Sequence, residues 1–427
     1  MLLSLVGLNH NTASIEMREK LASGTVDLAE ALMLLHERVG GGIILSTCNR
    51  TEIYVVGDDA GITQKKATDF VHVLSRTPAK VLRPHLYSYV HEEAVRHLFR
   101  VASGLDSMIV GEHEILGQVG RALEMAEDMK VTPAPLLNLF RQAISVGRRV
   151  RDETHISRNA LSVSSVAVAM ANRTFGDLSA CQVLVVGAGE AGRLATQVLV
   201  GNGVSQIVVA SRSYESAVRL ASEIGSGAVP MRSIEEALST SDIVVTCTNS
   251  PHYILERAVV NKAMASRPKR SLVVIDIAVP RDVSPDVKEI RNVFLYDIDG
   301  LSDVSESNLR EREEEVEEVQ RIVDVEVERF VRWWNSIGMT PMIGALVNKA
   351  EDIRRERFEK TLSKMNEISE EDRASIEEMT KSIVRRLLHD PILCLKRSNG
   401  SQLGPMVREI FNLSDEIGPN EELVEQD

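Results

Sequence analysis

The sequence predicts a multidomain α/β protein: an N-terminal α+β domain, then a doubly wound parallel-sheet domain, then a long helix leading into an all-α tail. Three observations carry this. Short apolar runs at 2–8 and 42–45 flank a helix-periodic stretch. From about residue 160, strand-like runs alternate with helical ones. Residues 301–337 contain neither glycine nor proline, yet keep apolar residues at helical spacing. A chain of 427 residues has room for about two to four ordinary domains. The divisions fall at 1–155, 156–300 and 301–427.

In the first stretch, Leu2-Leu3-Ser4-Leu5-Val6-Gly7-Leu8, Gly42-Ile43-Ile44-Leu45 and Glu52-Ile53-Tyr54-Val55-Val56 read as strands, with a helix over 26–39. Residues 92–151 read as mostly helical, with Gly104, Gly111 and Gly117 marking loops or close approaches. In the second stretch, the apolar strand 182–186 runs into Gly187-Ala188-Gly189-Glu190-Ala191-Gly192 and an amphipathic helix through Val200. This is a GxGxxG fingerprint between a strand and a helix. The first glycine makes the turn, the second lets backbone approach a pyrophosphate, and the third allows close helix–sheet packing. Further strands at 206–210, 242–246 and 272–276 complete a Rossmann-type domain. The second of its strands ends Ala210-Ser211-Arg212-Ser213. With no carboxylate to repel a 2′-phosphate, and with Ser211 and Arg212 to hold one, NADP(H) is expected over NAD(H). The glycine-free helix of 301–337 would be about 50 Å long, so it should connect domains or pair with another subunit. Further amphipathic helices are expected over 342–388.

Composition excludes several classes. The four cysteines, at 48, 181, 247 and 394, form no CxxC pair, which suits a reducing compartment. No metal site is expected. The N-terminus lacks a basic region and a cleavage site, and no apolar run reaches membrane-spanning length, so a soluble cytoplasmic protein is expected. Net charge is −13, of which −11 falls on residues 301–427. Such a chain is not a generic nucleic-acid binder. The basic stretches Arg141–Arg158 and Lys381–Arg397 are either local phosphate contacts or solvated helix faces.

Cys48 is the candidate for chemistry. It follows a small apolar strand and is crowded by Thr47, Asn49, Arg50 and Glu52. A thiol that attacks a carbonyl benefits from cationic and hydrogen-bonding neighbours, because the thiolate is the nucleophile. The plain alternative is a buried core cysteine. A thiol beside an NADPH domain can capture an activated acyl group as a thioester, which hydride reduces to an aldehyde; run backward, the same parts oxidise an aldehyde.

These residues also carry a resemblance. Ser46-Thr47-Cys48-Asn49-Arg50-Thr51-Glu52, Gly7-Leu8-Asn9-His10-Asn11-Thr12-Ala13 and the block from His97 through Ala102-Ser103-Gly104-Leu105-Asp106-Ser107-Met108 to Gly111-Glu112 are similar to the glutamyl-tRNA reductase family. Gly187–Gly192 and Leu387-Leu388-His389-Asp390-Pro391 fit it as well, so the resemblance spans essentially the whole chain. It implies a catalytic domain, an NADP domain and a spinal helix with a dimerisation domain, arranged in a V. It implies that Cys48 takes glutamate from glutamyl-tRNA(Glu) as a thioester, that His97 determines activity, and that NADPH reduces the thioester to glutamate 1-semialdehyde for tetrapyrrole synthesis. Thr47, Asn49, Arg50, Ser107, Glu112 and Gln118 match substrate-recognition positions. Arg50 suits the substrate carboxylate, since its planar fork binds carboxylates bidentately; the alternative is a surface salt bridge with Glu52.

One segment departs from the family. Many members follow Gly-Glu with Pro-Gln, where this chain has His113 and Glu114. The resemblance further implies a homodimer through the C-terminal helices and hand-over of the unstable product to glutamate-1-semialdehyde aminomutase. The rival readings are an NADP-dependent shikimate-type dehydrogenase, which would not need Cys48, and a non-catalytic Rossmann scaffold.

Overall fold

The protein is described here from a computed structural model covering residues 1–22, 27–156, 163–301, 313–365, 368–397 and 400–413. It forms two compact units, Met1–Val325 and Glu326–Asp427.

The first unit begins with β1 (Leu2–Asn9), α1 (Ile15–Ala22), α2 (Leu28–Val39), β2 (Gly42–Ser46) and β3 (Arg50–Gly57). There follow α3 (Ala60–Ser75), α4 (Ala79–Leu82), β4 (Tyr87–Val90), α5 (Glu92–Ala102), α6 (Glu114–Met129) and α7 (Ala134–Glu153). The strands form an antiparallel sheet in the order β2-β3-β1-β4. Its central strands are covered on both faces, which is why β1 reads as one apolar run rather than an alternating one. One face packs on α2 and α3 through Leu32, Leu35, Phe70 and Val71. On the other, Tyr54 meets Phe140 of α7 edge-on at 5.1 Å. The expected strands are present, and α1, α3, α4 and β4 are additional. Of these α1, α4 and β4 are short, and α1 mixes charged residues with apolar ones, so it has no clear period. Gly104 and Gly111 do sit in a loop, at φ +78° and +84°. Gly117 lies inside α6 instead, because the apolar spacing of Ile115, Val119 and Leu123 carries the helix across it.

The second sheet uses α8 (Val163–Phe175), β5 (Gln182–Val186), α9 (Glu190–Gly201), β6 (Gln206–Ser211), α10 (Tyr214–Glu223) and β7 (Gly227–Pro230). It continues with α11 (Ile234–Thr240), β8 (Ile243–Thr246), α12 (Arg257–Ala265), β9 (Leu272–Asp276) and β10 (Val293–Asp297). All six strands are parallel, in the order β10-β9-β8-β5-β6-β7, with buried apolar layers on both faces. The order reverses between β5 and β8. In such sheets the ligand crevice opens there, beyond the carboxyl ends of the strands.

The long helix α13 runs from Glu313 to Leu362, fifty residues and about 75 Å. It does not stop at 338–341 as expected, and 342–362 are its continuation rather than a new helix. Trp334 and Phe330 before that segment, and Met342 and Leu346 after it, are buried on the helix, and such packing outweighs the roughly 3 kcal/mol cost of one internal proline. Residues 302–312 of the expected helix lie outside the described residues. Then come α14 (Glu370–Arg397) and α15 (Gly400–Phe411). Met342, Leu346, Leu388 and Leu395 form the core of this unit. Lys349 Nζ closes the end of α15 by donating to the Phe411 and Asn412 carbonyls at 2.9 and 2.6 Å.

Candidate active site

Cys48 lies at the tip of the tight β2–β3 hairpin, in the connection Thr47-Cys48-Asn49. The Thr47 N–H donates to the Arg50 carbonyl at 2.8 Å. The Thr47 hydroxyl accepts from the N–H groups of Asn49 and Arg50, both at 3.1 Å. The His10 N–H reaches the Asn49 carbonyl at 2.9 Å. From α1, Arg18 Nη1 donates to the Cys48 carbonyl at 2.8 Å and to Asn49 Oδ1 at 3.4 Å. Thr47 and Asn49 therefore build the turn that presents the thiol.

The thiol keeps some exposure, but it packs against an apolar cluster containing Ile15, Met108, Ile109, Ile277 and Ile298. Its pKa is pushed up to about 12, by burial first and then by the Glu112 and Glu114 carboxylates, against a smaller pull from Arg18. The expectation that neighbours would favour the thiolate is corrected here. Arg50, two positions on in sequence, begins β3 and is buried against Glu52.

Arg50 is 1% exposed and donates to Glu52 Oε1 at 2.8 Å and to the Asp106 carbonyl. The pairing with Glu52 is thus real, though buried rather than on the surface. Glu52 is the centre of this layer. Its Oε1 also accepts from Tyr87 at 2.6 Å and faces His97 Nε2 at 2.7 Å, and its Oε2 accepts from Tyr54 at 2.6 Å. Burial alone would raise its carboxyl. His97 and Arg50, with the hydrogen bonds, outweigh that and drive it well below the carboxylate range. Gly7 lies opposite Glu52 in the β1–β3 ladder, where a Cβ would come within 2.8 Å of Glu52 Cγ. The glycine makes room for the carboxylate. His97, on α5, also faces Asp106 through Nδ1 at 3.5 Å and stacks near Tyr87 and Tyr89 at 5.4 and 5.1 Å.

The loop from Ser103 to His113 forms the adjoining wall. A Cβ on Gly111 would lie 2.1 Å from the Ile156 carbonyl, so glycine is required for this approach. Arg151 of α7 pins the loop, donating to the carbonyls of Ala102, Gly147 and Glu112 at 3.0, 2.7 and 3.1 Å. Ser107 and Glu112 are buried, Glu114 and Gln118 half-buried, and His113 exposed. Burial, then Glu114, raise Glu112 to about 7, against Ser107, Arg50 and Arg151. Glu114 is likewise raised, by burial and by Glu190.

In the second sheet, Gly187 sits at φ +124°, where a Cβ would meet the Cys247 carbonyl at 2.7 Å and its sulfur at 2.8 Å. A Cβ on Gly192 would lie 2.1 Å from the Gly187 carbonyl. Gly189 caps α9 without a side-chain hydrogen bond and faces open space. The first N–H groups of α9 are therefore presented to a space that an anion can enter, which fits a dinucleotide pyrophosphate. Ala188 and Ala191 flank the turn half-buried, and Glu190 is exposed and pairs with Arg121 of α6 at 3.2 Å. Ser211 and the exposed Arg212 stand at the carboxyl end of β6.

The sequence reading missed Glu52 as a hub, and with it Tyr87, Asp106 and Arg18. Glu52 had a signal, since it closes the block that begins at Ser46. Arg18 had none, lying in an eight-residue helix of mixed charge.

A glycine turn of this kind at the switch point of a parallel sheet, with a thiol held in the same compact unit, places the chain among the nucleotide-dependent oxidoreductases. Residues 6–154 match the glutamyl-tRNA reductase N-terminal domain, 169–304 the shikimate/quinate 5-dehydrogenase domain, and 318–413 the glutamyl-tRNA reductase dimerisation domain. Glutamyl-tRNA reductase of Geobacter sulfurreducens is 39% identical over 97% of this chain and 96% of its own length. That of Priestia megaterium is 38% identical over 99% and 96%. The solved glutamyl-tRNA reductase of Methanopyrus kandleri aligns with TM-score 0.53 and 31% identity over 96% of this chain and 98% of its own. The chain belongs to the glutamyl-tRNA reductase family. The shikimate-type alternative accounts for the middle of the chain only, and no helix among the described residues is long and apolar enough to cross a membrane.

Proposed function

We propose that this protein reduces the glutamyl group of glutamyl-tRNA(Glu) to glutamate 1-semialdehyde with NADPH, through a thioester on Cys48, as the cytoplasmic first step of tetrapyrrole synthesis. The observation that carries this is the Cys48 turn, packed on residues of the nucleotide-binding sheet.

In the first step the Cys48 sulfur attacks the ester carbonyl. A C–S bond forms, the C–O bond to the terminal ribose breaks, and tRNA leaves. With its pKa near 12, the thiol needs a proton acceptor at the moment of attack. Glu112 is a buried carboxyl poised near neutrality whose charge is felt at Cys48, and it takes that proton and returns it to the ribose oxygen. Thr47 and Asn49 hold the turn that carries Cys48, and Ser107 and Gln118, in the 103–113 loop and on α6, are assigned as substrate contacts. Arg50, buried and paired with Glu52, braces a network that His97 extends toward Tyr89. Gly187–Gly192 would hold the pyrophosphate, and Ser211 and Arg212 the 2′-phosphate that distinguishes NADPH. When bound, NADPH supplies the hydride. His113 and Glu114 border the same site from the start of α6. The division of labour follows residues 1–155, 156–300 and 301–427, with dimerisation through the C-terminal helices. The semialdehyde is unstable in water, which favours direct transfer to glutamate-1-semialdehyde aminomutase.

The test is to supply glutamyl-tRNA without reduced nucleotide and to analyse the Cys48 peptide by mass. A glutamyl adduct is expected on the wild type and none on Cys48→Ser, which should form no aldehyde. Reductase activity retained in Cys48→Ser would overturn the proposal.

A further inference from the structure

Three of the four charged side chains on the short helix α1, Glu16, Arg18 and Glu19, make contacts across the fold that the reaction, as described, leaves without a task. Arg281, in the segment after β9, is buried, and its backbone N–H, Nε and Nη2 all donate to the Glu19 carboxylate at 2.7, 2.9 and 2.9 Å. Its Nη1 reaches Glu16 at 3.1 Å. This is a charge-assisted pair of the bidentate kind, which is both strong and geometrically specific. Arg18, 2% exposed, lies between these two acids in sequence. Its Nε donates to the Ala13 carbonyl at 3.3 Å, its Nη1 to the Cys48 carbonyl and Asn49 Oδ1, and its Nη2 pairs with Asp299 just beyond β10. One planar guanidinium thus touches the nucleophile turn with one nitrogen and the nucleotide-binding domain with another. Ile15 of the same helix joins the apolar seam of Met108, Ile109, Ile277 and Ile298 that also covers the thiol.

We infer that Arg18 is a positioning residue that couples seating of the nucleotide-binding domain to alignment of the Cys48 turn, and that Glu19–Arg281 is the clasp that keeps the domain seated. The inference rests on Cys48 being the nucleophile. The fold explains why one residue serves both ends: a lysine gathers its donors on one nitrogen, whereas the guanidinium's fixed fork holds separate nitrogens toward the turn and toward Asp299. Seating hides the sulfur and brings the carboxyl edge of the second sheet toward it. Loss of the clasp should therefore expose the thiol and impair reduction more than acylation.

Glu19→Gln, Asp299→Asn and Arg18→Gln are to be compared with wild type in three measurements. The first is the alkylation rate of the Cys48 peptide by iodoacetamide without nucleotide. The second is tRNA release in a single turnover without NADPH. The third is aldehyde formed per acylated enzyme after NADPH is added. Glu19→Gln and Asp299→Asn should raise alkylation about tenfold, hold acylation within about twofold, and lower aldehyde yield about tenfold, as expected when a desolvated charged hydrogen bond is lost. Arg18→Gln should impair acylation as well. Unchanged alkylation and aldehyde yield in both Glu19→Gln and Asp299→Asn would overturn the inference. Absence of any Cys48 adduct in the wild type would instead overturn the thioester reading, so the two failures are distinguishable.

Discussion

Among single residues, Glu52 shows how a buried charge organises the site. With 0% exposure it is stable as a carboxylate because Arg50, His97, Tyr54 and Tyr87 surround it. Glu52→Gln would leave the Arg50 charge buried without its counter-charge, an expected cost of about 3–5 kcal/mol, measurable by denaturant unfolding at pH 7. The sign follows from the depressed carboxyl. Its contribution is present above the ordinary value of 4.5 and is lost as pH falls toward the lower folded value, so the gap between wild type and variant should narrow below pH 4.5. A gap independent of pH would refute the charge argument. Glu112 predicts a separate pH effect. As proton acceptor it must be ionised, so single-turnover tRNA release should fall as pH drops through about 7, and Glu112→Gln should be slow and lack that limb. An unchanged acid limb in Glu112→Gln would remove it from the role. Sequence made Cys48 visible as a thiol in unusual company, and Glu112 only through the family resemblance, but not the sign of the thiol shift. Closeness in sequence does not fix closeness in space: Arg50 shares a face of β3 with Glu52 and pairs with it, while Glu112, sixty-four positions away in the numbering, sets the field at the sulfur.

Secondary-structure elements were most legible where the pattern was continuous. The parallel strands of the second sheet are buried on both faces, and the glycine turn has its strand and helix in the expected places. Edge strands β7 and β10 were not: β7 is four residues with glycine and proline at its ends, and β10, although apolar over 293–296, is short and half-exposed. The long helix illustrates the opposite error. Glycine and proline signal a stop locally, and packing on both sides carries the helix past them. At the end of β6, Arg212 stands where a 2′-phosphate would be read. Arg212→Glu should weaken NADPH binding by about one to two orders of magnitude, and NADH binding far less, because a carboxylate repels the 2′-phosphate and accepts a ribose hydroxyl. Titration with each nucleotide measures this; equal loss of both would show that Arg212 does not read the 2′-phosphate.

On the scale of the whole molecule, the charge asymmetry of the chain has a structural counterpart. The C-terminal region holds most of the net negative charge, yet α14 exposes Met379, Ile383 and Leu387, spaced four apart, at 56%, 50% and 70%. Leu388 and Leu395 of the same helix are buried, so the exposed residues form a second stripe on it. Apolar residues on one stripe in an acidic helix are consistent with the match of 318–413 to a dimerisation domain. Periodicity in the sequence marked the helix as amphipathic, but could not divide its apolar residues between an internal core and an external stripe, since both recur every three to four positions. If the stripe pairs with a second copy, two acidic surfaces approach each other, and apolar burial must exceed their repulsion. Association should then strengthen as salt rises, because screening weakens the repulsion and leaves the apolar term. Ile383→Glu with Leu387→Glu should shift sedimentation equilibrium toward monomer by at least about a hundredfold in dissociation constant, with helical content unchanged, since two buried aliphatic side chains per copy are replaced by like charges. A dimer that persists in this variant, or that weakens with added salt, would place the interface elsewhere.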